Sequence, residues 1–164
     1  MTGASHDPQG VGELRELLRT VPLFSGLQDA DLDELVRLAT RRHYARDGVI
    51  FFEKDVGASL FMIERGRIKV SILGDDGREV ILSVLGPGDF FGEMALLDDT
   101  PRSADARVHE KCRLLVLSRE AFEDLLFLHK DLAYEVLWSM VRILSSRLRE
   151  TTDKLTFLSV SSKF

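Results

Sequence analysis

Phe90-Phe91-Gly92-Glu93-Met94-Ala95-Leu96-Leu97-Asp98-Asp99-Thr100-Pro101-Arg102-Ser103-Ala104 packs a glycine turn, a run of helix formers and a Pro-Arg pair into one connection between two strand-like segments. Gly88 and Gly92 permit a tight backbone path, and the run from Glu93 to Leu97 predicts a one-turn helix with free N–H groups aimed outward. Those groups, together with the positive end of the helix dipole, form a seat for a phosphate. Arg102 returns nine residues after Glu93 and can cover the same anion from the other side with a forked, charge-assisted contact. A carboxylate is a poor neighbour for a phosphate. Glu93 makes sense there as an acceptor for hydroxyls, as acidic residues are for the ribose 2′-OH in dinucleotide sites.

A seat for one phosphate and one ribose hydroxyl describes a cyclic nucleotide. Gly92-Glu93-Met94-Ala95-Leu96 followed by Pro101-Arg102-Ser103-Ala104 resembles the phosphate-binding cassette of the cyclic nucleotide-binding domain. The resemblance runs from about Val21 to Leu158, and the bacterial cyclic-AMP receptor protein (CRP/FNR-like) family carries it most closely. It implies Glu93 on the ribose hydroxyl and Arg102 and Ser103 on the phosphate, with Gly92, Met94, Ala95 and Ala104 completing the binding set. Ser103 is the informative letter, since eukaryotic cyclic-AMP sites commonly carry Ala there, cyclic-GMP sites Thr, and bacterial cyclic-AMP receptors Ser. The resemblance therefore implies cyclic AMP in preference to cyclic GMP. A cassette that has lost its ligand is the competing account.

A chain of 164 residues with 45% hydrophobic content supports one domain with an appended helix. No apolar run reaches the length of a membrane span, and the polar opening lacks a signal peptide's apolar core, so a cytoplasmic protein is expected. The formal charge of −5 argues against a large nucleic-acid footprint, and the linear sequence displays no local basic patch. Cys112 is the only cysteine, which excludes an internal disulfide and a four-cysteine iron–sulfur centre; a buried, inert thiol is expected. His6, His43, His109 and His129 have no ligand-like spacing, so no metal or haem is expected. Glu93 has no second carboxylate or metal ligands placed to help it, and the chain is not expected to be an enzyme.

Residues 1–10 read as a disordered tail. From Val11, Leu14, Leu17, Leu18 and Val21 recur at helical spacing until Pro22, and a second helix with Leu32, Leu35, Val36 and Ala39 begins near Gln28. From about Arg41 to Leu117 the chain becomes short β-branched and aromatic runs: Val49 to Glu53, Leu60 to Glu64, Ile68 to Leu73, Val80 to Leu85 and Leu114 to Leu117. Arg65-Gly66 and Gly74-Asp75-Asp76-Gly77 read as hairpin turns. The expectation is a mostly β fold with flanking helices, a β-roll or jelly-roll-like barrel over 11–130. Lys54 stands where many members of the family place a turn glycine. Ser118 reads as the cap of a short helix ending near Phe127.

Over 131–158, Tyr134, Leu137, Val141, Leu144, Leu148, Thr151, Leu155 and Leu158 step by three and four, the seam of a coiled coil, followed by a tail at 159–164. This predicts a parallel homodimer, although the stripe could also pack on the chain's own barrel. In the family the matching helix is the dimer axis. The resemblance further implies that Thr151 and Thr152 reach the adenine edge, while a register-setting role for Thr151 stays open. Two functions follow as expectations. One is a stand-alone cyclic-AMP sensor that signals through its dimer or an unidentified protein partner and does not itself bind DNA. The other is the sensory portion of a cyclic-AMP-dependent transcription regulator whose winged helix-turn-helix lies beyond Phe164.

Overall fold

The computed structural model describes residues 8–161, with the side chains of 8, 9, 158 and 161 excepted. Helix α1 (Pro8–Thr20) begins three residues before the expected start and ends ahead of Pro22, where a 3-10 turn (Pro22–Phe24) leads to α2 (Asp29–Leu38). Residues 1–7, the remainder of the expected tail, lie outside the described residues. The strands are β1 (Thr40–Tyr44), β2 (Val49–Phe51), β3 (Ser59–Leu73), β4 (Glu79–Leu85), β5 (Phe90–Phe91) and β6 (Asp105–Ser118). They form an antiparallel β-roll in the order β1-β6-β3-β4, with β2 also on β6 and β5 on β3. Helix α3 (Met94–Leu97) lies within the cassette, and α4 (Arg119–Leu128) and α5 (Lys130–Ser161) close the chain.

Two long strands organise this arrangement. Alternation sorts their side chains to opposite faces, as strand geometry requires. Leu60 and Met62 of β3 and Leu115 and Leu117 of β6 join the helices in one core, whereas Phe61, Ile63, Leu114 and Val116 fill the roll with Phe91, Ala106 and Val108. The expected hairpin at Arg65-Gly66 is absent: β3 continues through it. The pairing of β3 with β6 slips there, and Gly66 takes φ +90°, where an added Cβ would lie 2.2 Å from Lys111 O. The glycine signals a bulge that bends one strand, not a turn between two. Gly74-Asp75-Asp76-Gly77 is the hairpin expected, with Gly74 N donating to Arg78 O at 2.8 Å. Lys54 adopts φ +70°, the conformation a glycine would take, so the turn keeps its geometry at the cost of a left-handed side-chain residue.

Ser118 caps α4, accepting from Ala121 N at 3.1 Å. Helix α5 has two apolar faces. Leu132, Val136 and Met140 are buried in the helical core, where α5 packs on the 3-10 turn and on α4, with Ile143 beside them. The adjacent stripe of Tyr134, Leu137, Val141, Leu148 and Leu155 is exposed, and Leu144 is half-buried. Packing on the chain's own domain thus uses a different face from the heptad seam. Among the described residues no helix is long and apolar enough to cross a membrane.

Folding also overturns the reading that the chain has no basic patch. The ladder places His43 of β1 and Arg65 of β3 on either side of Arg113 of β6, with Lys111 two residues away. The cluster escapes a linear reading because it draws on three strands more than twenty residues apart in sequence.

Candidate functional site

A cavity of about 480 Å³ opens between the cassette, β4 and α5. Its floor begins at Gly92, held at φ +80° between β5 and α3; an added Cβ would come within 2.7 Å of Arg102 Nη1 and 2.9 Å of Ser59 O. Helix α3 follows, its first bond donated by Leu96 N to Glu93 O at 3.0 Å, so the N–H groups of Met94 and Ala95 precede the intrahelical ladder. The other end of α3 is clamped by Arg119 at the start of α4. Its guanidinium donates to Ala95 O, to Asp98 O at 2.6 Å and to the Asp99 carboxylate.

Arg102 is 7% exposed. Its backbone is fixed against the turn after β2, with Lys54 N donating to Arg102 O (2.7 Å) and Arg102 N to Asp55 O (2.9 Å). Nη1 donates to Gly92 O at 3.1 Å and Nη2 to Ser59 O at 3.0 Å, and the guanidinium carbon sits 4.2 Å from the centre of the Phe51 ring. Gly57 makes room for it, since a Cβ there would lie 2.1 Å from Arg102 Nε. Arg102 has no carboxylate within ion-pair distance among the described residues, and its Nε is buried without a hydrogen-bond partner. Burial pushes the guanidinium below its ordinary pKa, opposed by the negative fields of Glu93 and Asp55. The group remains a cation at neutral pH. A buried cation with donors left over is costly unless an anion answers it.

Glu93, also 7% exposed, does not pair with Arg102. It accepts from Arg147 of α5, whose guanidinium lies 5.2 Å from the centre of the Phe90 ring. The long helix is therefore tied to the cassette through the carboxylate read from sequence as a hydroxyl acceptor. Gly92, Met94, Ala95, Ser103 and Ala104 all line the same cavity, and Thr151 reaches it from α5. Thr152 does not line the cavity of its own chain. Both threonines donate back along the helix, Thr151 Oγ1 to Arg147 O (2.8 Å) and Thr152 Oγ1 to Leu148 O (2.9 Å). Sequence reasoning missed Arg147, Glu150 and Lys154 on α5, Phe51 on β2, and Leu82 and Ser83 on β4. The α5 residues were legible in principle, because 147, 150, 151 and 154 share one helical face by their spacing of three and four.

The family model for the cyclic nucleotide-binding domain matches residues 41–129. The cyclic AMP receptor protein of Thermus thermophilus is 38% identical over 138 residues, which are 84% of this chain and 62% of that protein. The crystal structure of the Thermus thermophilus catabolite activator protein superposes with a TM-score of 0.77 at 36% identity, covering 84% of this chain and 63% of that one. The regulatory domain of Toxoplasma gondii PKA, solved with cAMP, gives 0.69 at 31% identity over 74% of this chain and 46% of that one. This chain spans about 62% of the length of the Thermus thermophilus and Mycobacterium tuberculosis relatives it matches.

Proposed function

The chain belongs to the cyclic nucleotide-binding domain family, and on that premise we propose that it is a cyclic-AMP sensor that passes occupancy to its long helix. The observation that carries this reading is Arg102: a buried guanidinium with no carboxylate partner among the described residues, lining a cavity beside a buried carboxylate. Two carbonyls use two of its five N–H donors. The rest suit the phosphate of a cyclic nucleotide, and Glu93 suits its ribose hydroxyl. The base end lies toward α5. There the Thr151 proton is committed to Arg147 O, so the hydroxyl offers lone pairs. Those lone pairs complement the 6-amino donor of adenine and repel the 6-keto acceptor of guanine.

Signalling follows from where the contacts lie. Glu93 already pairs with Arg147, so a ribose hydroxyl arriving at Glu93 alters a bond between the roll and α5. A ligand that interacts differently with two placements of α5 shifts the balance between them. The exposed apolar stripe of α5 fits a homodimer through which that shift is transmitted. The protein acts here by binding and not by chemistry.

The second reading, the sensory portion of a transcription regulator, is favoured by the names of the relatives, since the match in Pseudomonas aeruginosa is a cAMP-activated global transcriptional regulator. A native polypeptide longer than this chain on an immunoblot supports it, and one of 18.5 kDa supports the stand-alone sensor. Calorimetric titration with cyclic AMP, cyclic GMP and cyclic di-GMP tests both readings at their root. Cyclic AMP is expected to bind tightest, once per chain, and no heat with any of the three removes the proposal.

A further inference from the structure

A second cleft, of about 280 Å³, shares no residue with the cassette cavity. Its walls are His43 of β1, Arg65 of β3, and Lys111, Cys112 and Arg113 of β6. The strand register explains the assembly: Arg113 is laddered to His43 on one side and to Arg65 on the other. Arg65 and Arg113 are like charges set directly across the ladder, a pairing that costs stability unless counter-charge is supplied. The chain supplies little. Glu64 is shared between Arg41 Nε at 3.0 Å and Arg113 Nη2 at 2.6 Å, and Glu110 is 3.8 Å from Arg67. Arg65 and Lys111 have no carboxylate within ion-pair distance among the described residues, and Arg113 Nε is buried without a hydrogen-bond partner.

We propose that this cleft is a second anion site that takes the di- or triphosphate group of a small phosphorylated molecule. Guanidinium and ammonium donors match phosphoryl oxygens in both charge and geometry. Its fixed cations, Arg65 of β3 and Lys111 and Arg113 of β6, face the cleft across one interstrand spacing of roughly 5 Å and along a two-residue step of roughly 7 Å on β6, a spread that a chain of phosphates bridges better than a single phosphate does. Cys112 at the base adds no competing charge. Burial raises its pKa, and its sulfur lies 2.9 Å from Glu110 O and 3.2 Å from Arg67 O, so its single S–H proton is held by backbone carbonyls.

Calorimetric titration of the full chain with sodium tripolyphosphate at low ionic strength tests the site. Saturable binding of one tripolyphosphate per chain is expected, with inorganic phosphate and sulfate bound more weakly. Arg102→Ala, which disables the cassette, should retain this binding, while the double change Arg65→Gln and Lys111→Gln should weaken it by about tenfold or more. Both of those side chains are exposed, and Arg113 stays with Glu64, so the double variant keeps the fold; circular dichroism verifies this. Absence of saturable binding overturns the proposal. So does loss in Arg102→Ala with retention in the double variant, which would place the anion in the cassette. Tighter binding of a short DNA duplex at the same residues would assign the face to a nucleic-acid backbone and overturn the small-molecule reading.

Discussion

Gly92 and Gly57 act through the side chains they lack. Each leaves the space that the Arg102 guanidinium fills, and Gly92 also holds a left-handed φ that other residues adopt at a cost of roughly 1–2 kcal/mol. Gly92→Ala is therefore expected to lower stability by about 1–3 kcal/mol in chemical denaturation and to weaken cyclic-AMP binding by more than about tenfold, because Arg102 must move. Unchanged affinity would separate the glycine from the arginine's placement. Glu93, Arg102 and Ser103 were legible in sequence because a short cassette fixes them by local spacing. Gly57, Phe51 and the Ser59 carbonyl were not: they meet Arg102 only through strand pairing, and Ser59 lies 43 residues away. The partner of Glu93 was hidden for the same reason, since Arg147 is 54 residues distant.

At the level of elements, local signals located helices well and strand lengths badly. The Ser118 cap and the stop at Pro22 act within a few residues and were read directly. The bend in β3 was mistaken for a hairpin because a glycine at positive φ serves a bulge and a turn equally, and only the β6 backbone beneath Gly66 distinguishes them. Helix α5 showed its heptad stripe in the sequence, but its inward face of Leu132, Val136 and Met140 needed the roll to reveal it. The polar break at Thr151 now has a place on the cavity wall. Changing Thr151 and Thr152 together to Ala is expected to leave phosphate and ribose contacts intact, cost about 1–3 kcal/mol of affinity, and erase much of the preference for adenine over guanine. Competition binding checks it: a double variant that still discriminates cyclic AMP from cyclic GMP as wild type does would return base selection to the roll. If Thr152→Ala alone reproduces the loss, the hydroxyl comes from the second helix of a dimer.

For the whole molecule, the decisive feature is that one cavity touches both the roll and the helix. A dimer through the exposed stripe would make each nucleotide a report on the relation between two chains. Light scattering is expected to give twice the 18.5 kDa of one chain at micromolar concentration. Leu148, 68% exposed in the single chain, sits on the seam, so Leu148→Glu should return the mass to that of a monomer by placing like charges face to face. A wild-type monomer would end the dimer model while leaving the binding site intact. That site rests on Arg102, and calorimetric titration of wild type and Arg102→Ala with cyclic AMP tests it most directly. Removing one partner of a desolvated charge pair costs about 3–5 kcal/mol, so the variant is expected to bind two to three orders of magnitude more weakly. Affinity within about threefold of wild type would contradict the account, because the buried cation around which the cassette is built would then not be holding the phosphate.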